Sequence, residues 1–181
     1  MMETGGHMPV RVDVAMNTDA AALADIAAIT FPLACPPSVA VGDIEAFIAA
    51  NLSPQRFGEY LADPDCRVLT AVDEERIIGY AMLIRRISAD IADFVESRPA
   101  VEVSKMYVLP EWHRRGAAGE LMEAGISWAC AQQMRALWLG VNQNNPRAQR
   151  FYRKHGFEIT GTRAFQVGTA LESDFIMVRA I

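Results

Sequence analysis

The stretch that most constrains this chain is a run of β-branched and apolar residues that breaks at an arginine and glycine turn and resumes as a helix. Residues 101–119 read VEVSKMYVLPEWHRRGAAG. The apolar run up to Leu109 predicts a strand, and Pro110, which has no N–H for a ladder, ends it. After Glu111 and Trp112 come His113, Arg114, Arg115, Gly116, Ala117, Ala118 and Gly119. Leu121, Met122, Gly125, Trp128 and Ala129 then recur on one face of a helix expected over 116–133. A helix start carries four unpaired N–H groups and the positive end of the dipole, so this junction suits a phosphate. Arg114 and Arg115 add charge, and the small residues after them let the backbone approach a ligand. Two phosphate motifs are excluded. A P-loop ends in Gly-Lys-Ser or Gly-Lys-Thr, and a dinucleotide fingerprint needs three glycines where only Gly116 and Gly119 stand.

A second stretch, residues 142–157, reads NQNNPRAQRFYRKHGF and follows a compact apolar segment, 136–141. Asn145 and Pro146 have the chemistry of a helix cap and first position, and Gly156 that of a helix stop. The two stretches together resemble the GCN5-related N-acetyltransferases, the GNAT family. The family's pyrophosphate loop, Gln or Arg, two variable residues, Gly, any residue, then Gly or Ala, is matched by His113 through Ala118, with His113 departing at the first position. Its Asn-x-x-Ala-x-x-Phe-Tyr-x-Lys-x-Gly-Phe segment is matched from Asn145 to Phe157.

The resemblance covers roughly residues 10–179 and implies an α/β fold. This is the GNAT acyl-CoA N-acyltransferase fold, a mixed, mostly antiparallel sheet with splayed central strands flanked by helices. It implies acetyl-CoA as cosubstrate, with no metal, and a direct transfer to a primary amine in a ternary complex. The backbone of Met106, Tyr107 and Val108 would pair with the pantetheine arm as an added strand, and the N–H of Met106 or Val108 would polarise the thioester carbonyl. His113, Arg114, Arg115, Gly116, Ala117, Ala118 and Gly119 would hold the pyrophosphate, and Asn142, Asn145 and Ala148 would flank the cofactor. Tyr152 would give the departing sulfur its proton, and Phe151 would pack the core. Glu102 would act as base, or would position a cationic substrate or pair with Arg85 or Arg86. Strand alternation places it on one face with Ser104, Met106 and Val108. The tail is similar to the bacterial polyamine-acetylating branch through Phe165, Gly168, Asp174, Ile176 and Met177, which implies spermidine or spermine as acceptor. A protein or peptide acceptor and a catalytically idle acyl-CoA sensor are the alternatives.

Composition sets the limits around this reading. The 181 residues are 51% hydrophobic and 22% charged, enough to bury a core, and are most simply one domain over 9–181 after a flexible lead, 1–8. No apolar run approaches the length of a membrane span and the start lacks a signal peptide's features, so a cytoplasmic protein without a membrane partner is expected. Cys35, Cys66 and Cys130 are widely spaced and read as reduced thiols, and the scattered histidines do not suggest a metal site. The net charge of -5 hides an asymmetry. Seven carboxylates stand between Asp19 and Asp65 with Arg56 as the one cation. Residues 111–155 are basic, as a phosphorylated ligand would require. A pI near 5.2 argues against nucleic acid. A strand edge near the tail makes a homodimer the expected oligomer, if any.

Along the rest of the chain, the pattern predicts a strand at 10–15 that buries Val10, Val12 and Val14. It also predicts a helix over 19–31 closed by Pro32 with Pro36 and Pro37, two short helices reaching to 63, and a hairpin over 66–87. Residues 88–100 are undecided, and strands at 157–167 and 175–178 end the chain.

Overall fold

The computed structural model describes residues 9–181; the expected lead, 1–8, lies outside them. The chain runs β1 (Arg11–Val14), a 3-10 turn (Asn17–Asp19), α1 (Ala20–Ala34), α2 (Val41–Asn51), α3 (Pro54–Ala62), β2 (Cys66–Asp73) and β3 (Arg76–Ile84). It continues through α4 (Ala89–Ala92), β4 (Ala100–Val108), a 3-10 turn (Pro110–Trp112), α5 (Ala117–Ala131), β5 (Ala136–Asn142), α6 (Pro146–Lys154), β6 (Glu158–Val167) and β7 (Ala170–Ala180). The seven strands form one sheet in the order β1-β2-β3-β4-β5-β7-β6. Every pairing is antiparallel except β4 with β5.

Each face of the sheet is covered by helices. On one, Leu121, Met122, Ile126 and Ala129 of α5 bury against Leu83, Val101, Val103, Leu137, Leu139 and Met177, with α6 beside them. On the other, Leu23, Ile26, Ala27 and Phe31 of α1 and Phe57 of α3 pack on Val68, Tyr80 and Met82. Burial on both faces explains why β2, β3 and β5 read as continuous apolar runs rather than alternating ones.

Local chemistry accounts for most boundaries. Ser53 Oγ accepts the N–H of Arg56 at 3.2 Å and Pro54 opens α3, the predicted cap. Asn145 Oδ1 accepts the N–H of Ala148 at 3.1 Å at the start of α6. Three expectations are corrected. Pro32 lies inside α1, which continues to Ala34, because the fixed φ of proline is itself helical and lets the chain turn on although one i−4 bond is lost. Val14 is 50% exposed, since β1 is a sheet edge too short to be covered along its length. The final strand is far longer than 175–178, because a turn at Gly168, whose φ is +58°, pairs β7 with β6 along the whole hairpin. The undecided segment contains the one-turn α4, anchored by Ile91 and Val95, both buried.

The junction of β3 with β4 tolerates no side chain at Gly79, where a Cβ would sit 2.7 Å from the Tyr107 carbonyl oxygen. That neighbour is backbone and cannot swing aside. Gly79→Ala is therefore expected to destabilise the fold by about 1–3 kcal/mol, read as a lower urea midpoint at unchanged slope.

Candidate active site

β4 and β5 pair only from Ala100–Ala136 to Glu102–Trp138 and then part. The gap beyond Glu102 becomes a cleft of about 490 Å³ that is lined from both faces of the sheet. Its walls are the β4 backbone at Met106, Tyr107 and Val108 and the β5 backbone from Gly140 to Asn142. On the α5 side lie Ala118, Asn145, Ala148, Phe151 and Tyr152. On the other side lie the end of α1 and Cys35, Arg163, Phe165, Glu172 and Asp174.

At the α5 start, Arg114 has φ +65° and Gly116 φ +87°, so the turn curls its backbone ahead of the free N–H groups of α5. Alternation of left-handed with ordinary residues makes an anion-binding concavity. Ala117 is buried beneath it, and Arg114, Arg115 and Gly116 are exposed, with Arg115 stacked over Trp112 at 4.8 Å. Gly119 has open space around its Cα. His113 donates from Nε2 to the Val108 carbonyl at 2.8 Å and so ties the turn to the end of β4. This histidine does structural service at the position where the family pattern has Gln or Arg.

Tyr152 projects from α6 against Phe151 and Phe157, with ring centroids 5.4 and 5.9 Å away. Its hydroxyl bonds no described residue, and burial pushes its pKa up to about 12. It therefore stays protonated through neutral pH and is free to donate in the cleft. Tyr107 is raised further, by burial first and then by the nearby Tyr152, Cys35 and Asp174. The cap that orients α6 also aims Tyr152. Asn145→Ala is expected to cost about 1 kcal/mol of stability and to lower turnover more than acetyl-CoA affinity, checked by melting and steady-state kinetics.

Glu102 stands elsewhere than alternation predicted. Met82 lies opposite Lys105 and Leu83 opposite Val103, which leaves Ser104 as an extra residue in a β-bulge. The bulge inverts the alternation, so Val101 and Val103 share the α5 face with Met106 and Val108. Glu102 shares the opposite face with Lys105 and Tyr107, not with Met106 and Val108. Its nearest cation is Arg163, Nη1 to Oε1 4.0 Å, whereas Arg85 and Arg86 are drawn off by Asp65 and Asp63. Glu102 lines a smaller neighbouring pocket of about 400 Å³ and is absent from the walls of the main cleft. Burial raises its pKa, with Arg163 and Lys105 opposing.

Three charged groups escaped the sequence reading: Lys105, Arg163 and Glu172 line the cleft, together with Asp174 of the tail resemblance. Arg163 belongs to β6, yet its guanidinium lies on Gly140 of β5, where a Cβ would collide with it. Its Nε is 3.5 Å from Asp174 Oδ2, an ion-pair distance too long for a good hydrogen bond. Only the strand order β5-β7-β6 brings these residues together. The alternation of Gly161, Arg163, Phe165 and Val167 was the available hint, since it puts an arginine among inward positions.

A sequence model of the acetyltransferase (GNAT) family matches residues 33–157, from the end of α1 through both quoted motifs. The chain belongs to the GNAT family of N-acetyltransferases. An uncharacterized N-acetyltransferase of Mycobacterium tuberculosis is 51% identical over 164 residues, 91% of this chain and 99% of that one. Another, from Lactobacillus delbrueckii subsp. lactis, is 23% identical over 140 residues, 77% of this chain and 79% of its own. Among solved structures, the PaiA N-acetyltransferase of Thermoplasma acidophilum in complex with coenzyme A superposes with a TM-score of 0.77. It is 19% identical over 96% of this chain and all of that one, a likeness of fold. The ribosomal-protein-S18-alanine N-acetyltransferase of Escherichia coli reaches 0.66 at 19% identity, covering 95% and 94% of the two chains.

The acyl donor of this acetyltransferase is acetyl-CoA, and the residues present fit it. A polar concavity stands at the start of α5, an unpaired strand edge runs along β4, and the small side chain of Ala148 leaves room beside it. No helix among the described residues is long and apolar enough to cross a membrane.

Proposed function

We propose that this acetyltransferase moves an acetyl group from acetyl-CoA directly to a primary amine within a ternary complex. The observation that carries the reading is the cleft where β4 and β5 part: it is open to both faces of the sheet, with Tyr152 on the donor side and charged groups on the other. A donor and an acceptor entering from opposite faces meet without any covalent intermediate on the protein. Cys35, the thiol in the cleft, is held protonated by burial, which disfavours an acyl-cysteine route.

The step balances simply. The neutral amine nitrogen attacks the thioester carbonyl carbon, a C–N bond forms and the C–S bond breaks. Tyr152 gives its hydroxyl proton to the departing sulfur and is reprotonated from solvent, to which the nitrogen releases one proton. The backbone of Met106, Tyr107 and Val108 holds the pantetheine arm, the 113–119 turn takes the pyrophosphate, and Asn142, Asn145 and Ala148 complete the donor wall. Phe165 and Asp174, two residues of the tail that resembles polyamine acetyltransferases, line the acceptor side, which supports an amine and makes spermidine and spermine natural members of a test panel. A second reading, a peptide amine, draws support from Leu33, an apolar side chain that lines the cleft and is 67% exposed.

Glu102 is assigned to holding Arg163 rather than to removing the amine proton. Glu102→Gln is expected to lower kcat/KM by the same factor at every pH. A changed pH profile would restore the base role.

The reading is tested by thiol release from acetyl-CoA over amines and short peptides, with both substrates varied. Intersecting double-reciprocal lines are expected. Parallel lines, the sign of a ping-pong path, would overturn direct transfer.

A further inference from the structure

The charges on the acceptor side of the cleft are not equivalent. Arg163 stands between two carboxylates at ion-pair distance, Asp174 on β7 at 3.5 Å and Glu102 on β4 at 4.0 Å. Reaching from the edge strand β6 across to β5, its guanidinium stands 5.6 Å from the Trp138 ring and 6.0 Å from that of Phe165. It lines both the main cleft and the smaller pocket that contains Glu102, and so forms the partition between them. Lys105, also on this side, stands 5.5 Å from the Tyr60 ring; burial lowers its pKa, and the field of Glu102 opposes that shift.

Glu172 differs from every other carboxylate there. Its Oε1 accepts from Ser38 Oγ at 2.9 Å and its Oε2 from Asn142 Nδ2 at 3.3 Å, and both partners are neutral. No described cation lies within ion-pair distance of it. Asn142 belongs to the donor wall and Ser38 to the loop after α1, so Glu172 sits where donor and acceptor sides meet. An ammonium group entering the cleft finds one carboxylate whose charge is not already neutralised. A second ammonium further along the same molecule finds Arg163 and Lys105, like charges in a partly buried setting where screening is weak.

From this arrangement we infer that Glu172 receives the acceptor's ammonium and that Arg163 closes the acceptor side, so that the preferred substrate is an amine with a single cationic centre. The inference rests on the amine reading above and decides within it against a polyamine. Glu172 acts here as a specificity-determining residue that binds the charged amine before its proton is lost. Arg163 acts as a wall that both shortens the space and repels a second charge.

The experiment compares a linear monoamine, the α,ω-diamine of equal chain length and spermidine as acceptors for the full-length enzyme. The variants are Glu172→Gln, Ser38→Ala and Arg163→Gln. The wild-type enzyme should prefer the monoamine over its matched diamine by at least about tenfold in kcat/KM, the order expected of one unfavourable charge contact. Glu172→Gln should raise the KM of the monoamine about tenfold or more while kcat and the KM of acetyl-CoA stay within about twofold. Ser38→Ala removes the hydrogen bond but keeps the charge, so it should leave the amine KM nearly unchanged; a loss equal to that of Glu172→Gln would mean a structural role and overturn the inference. Arg163→Gln should narrow the gap between monoamine and diamine. If that variant does not fold, the wild-type preference and the Glu172→Gln result still decide. Preference for the diamine or spermidine by the wild-type enzyme overturns this inference alone, whereas no turnover of any amine overturns it together with the amine reading.

Discussion

Replacing Tyr152 by Phe is expected to lower kcat by about 10²–10⁴-fold, the range for removal of a positioned acid, with the KM of acetyl-CoA nearly unchanged. The ring stays, so its edge contacts with Phe151 and Phe157 stay and the fold is not disturbed. Only the hydroxyl is lost, and that hydroxyl bonds no described residue, so its removal leaves no protein partner unsatisfied. The group's pKa of about 12, raised by burial, adds a second expectation. A raised pKa keeps the acid protonated, so no decline of kcat from ionisation of Tyr152 should be seen as pH rises through the physiological range and up to about pH 10. Steady-state kinetics on both proteins from pH 6 to 10 check both statements. A Tyr152→Phe enzyme with wild-type kcat would remove the tyrosine from the chemistry.

Truncating Phe57 to Ala is expected to cost about 3–5 kcal/mol, the largest stability effect among the changes considered. Phe57 is fully buried in the centre of α3 and packs edge-on against Tyr60 and Tyr80, at 5.8 and 5.5 Å. It joins the short α3 to the middle of the sheet, where Tyr80 is itself fully buried. The cavity left behind would be bounded by a strand held on both sides by neighbours, so collapse could fill little of it. The loss should appear as a much lower urea midpoint. Because α3 and α1 pack on each other, acceptor kinetics should suffer before donor binding, whose proposed walls are β4, α5 and α6. Equal loss on both sides would show that the two layers do not soften independently.

How much of this was legible in advance depends on how local the controlling interactions are. The turn at Gly116, the caps at Ser53 and Asn145 and the apolar face of α5 are set within a few residues of one another. Their residue types were therefore readable. The end of α1 departs from expectation because proline's fixed φ is itself helical, so the chain turns on for two residues beyond Pro32.

The sequence by itself determined most of the order of strands and helices, the small-residue helix start at Gly116 and, through the resemblance its two motifs carry, the family; the same resemblance made Tyr152 the candidate acid. Tertiary structure decided the acceptor side. A single bulge at Ser104 moved Glu102 to the other face of the sheet, and no local pattern announces a bulge, because the extra residue is defined only against its partner strand. The strand order then carried Arg163 from the edge over β7 to Gly140 and set it between Glu102 and Asp174. Charges some 60 and 11 residues apart in sequence become neighbours through that pairing alone, which is why the charged side of the cleft had to be read from the folded chain.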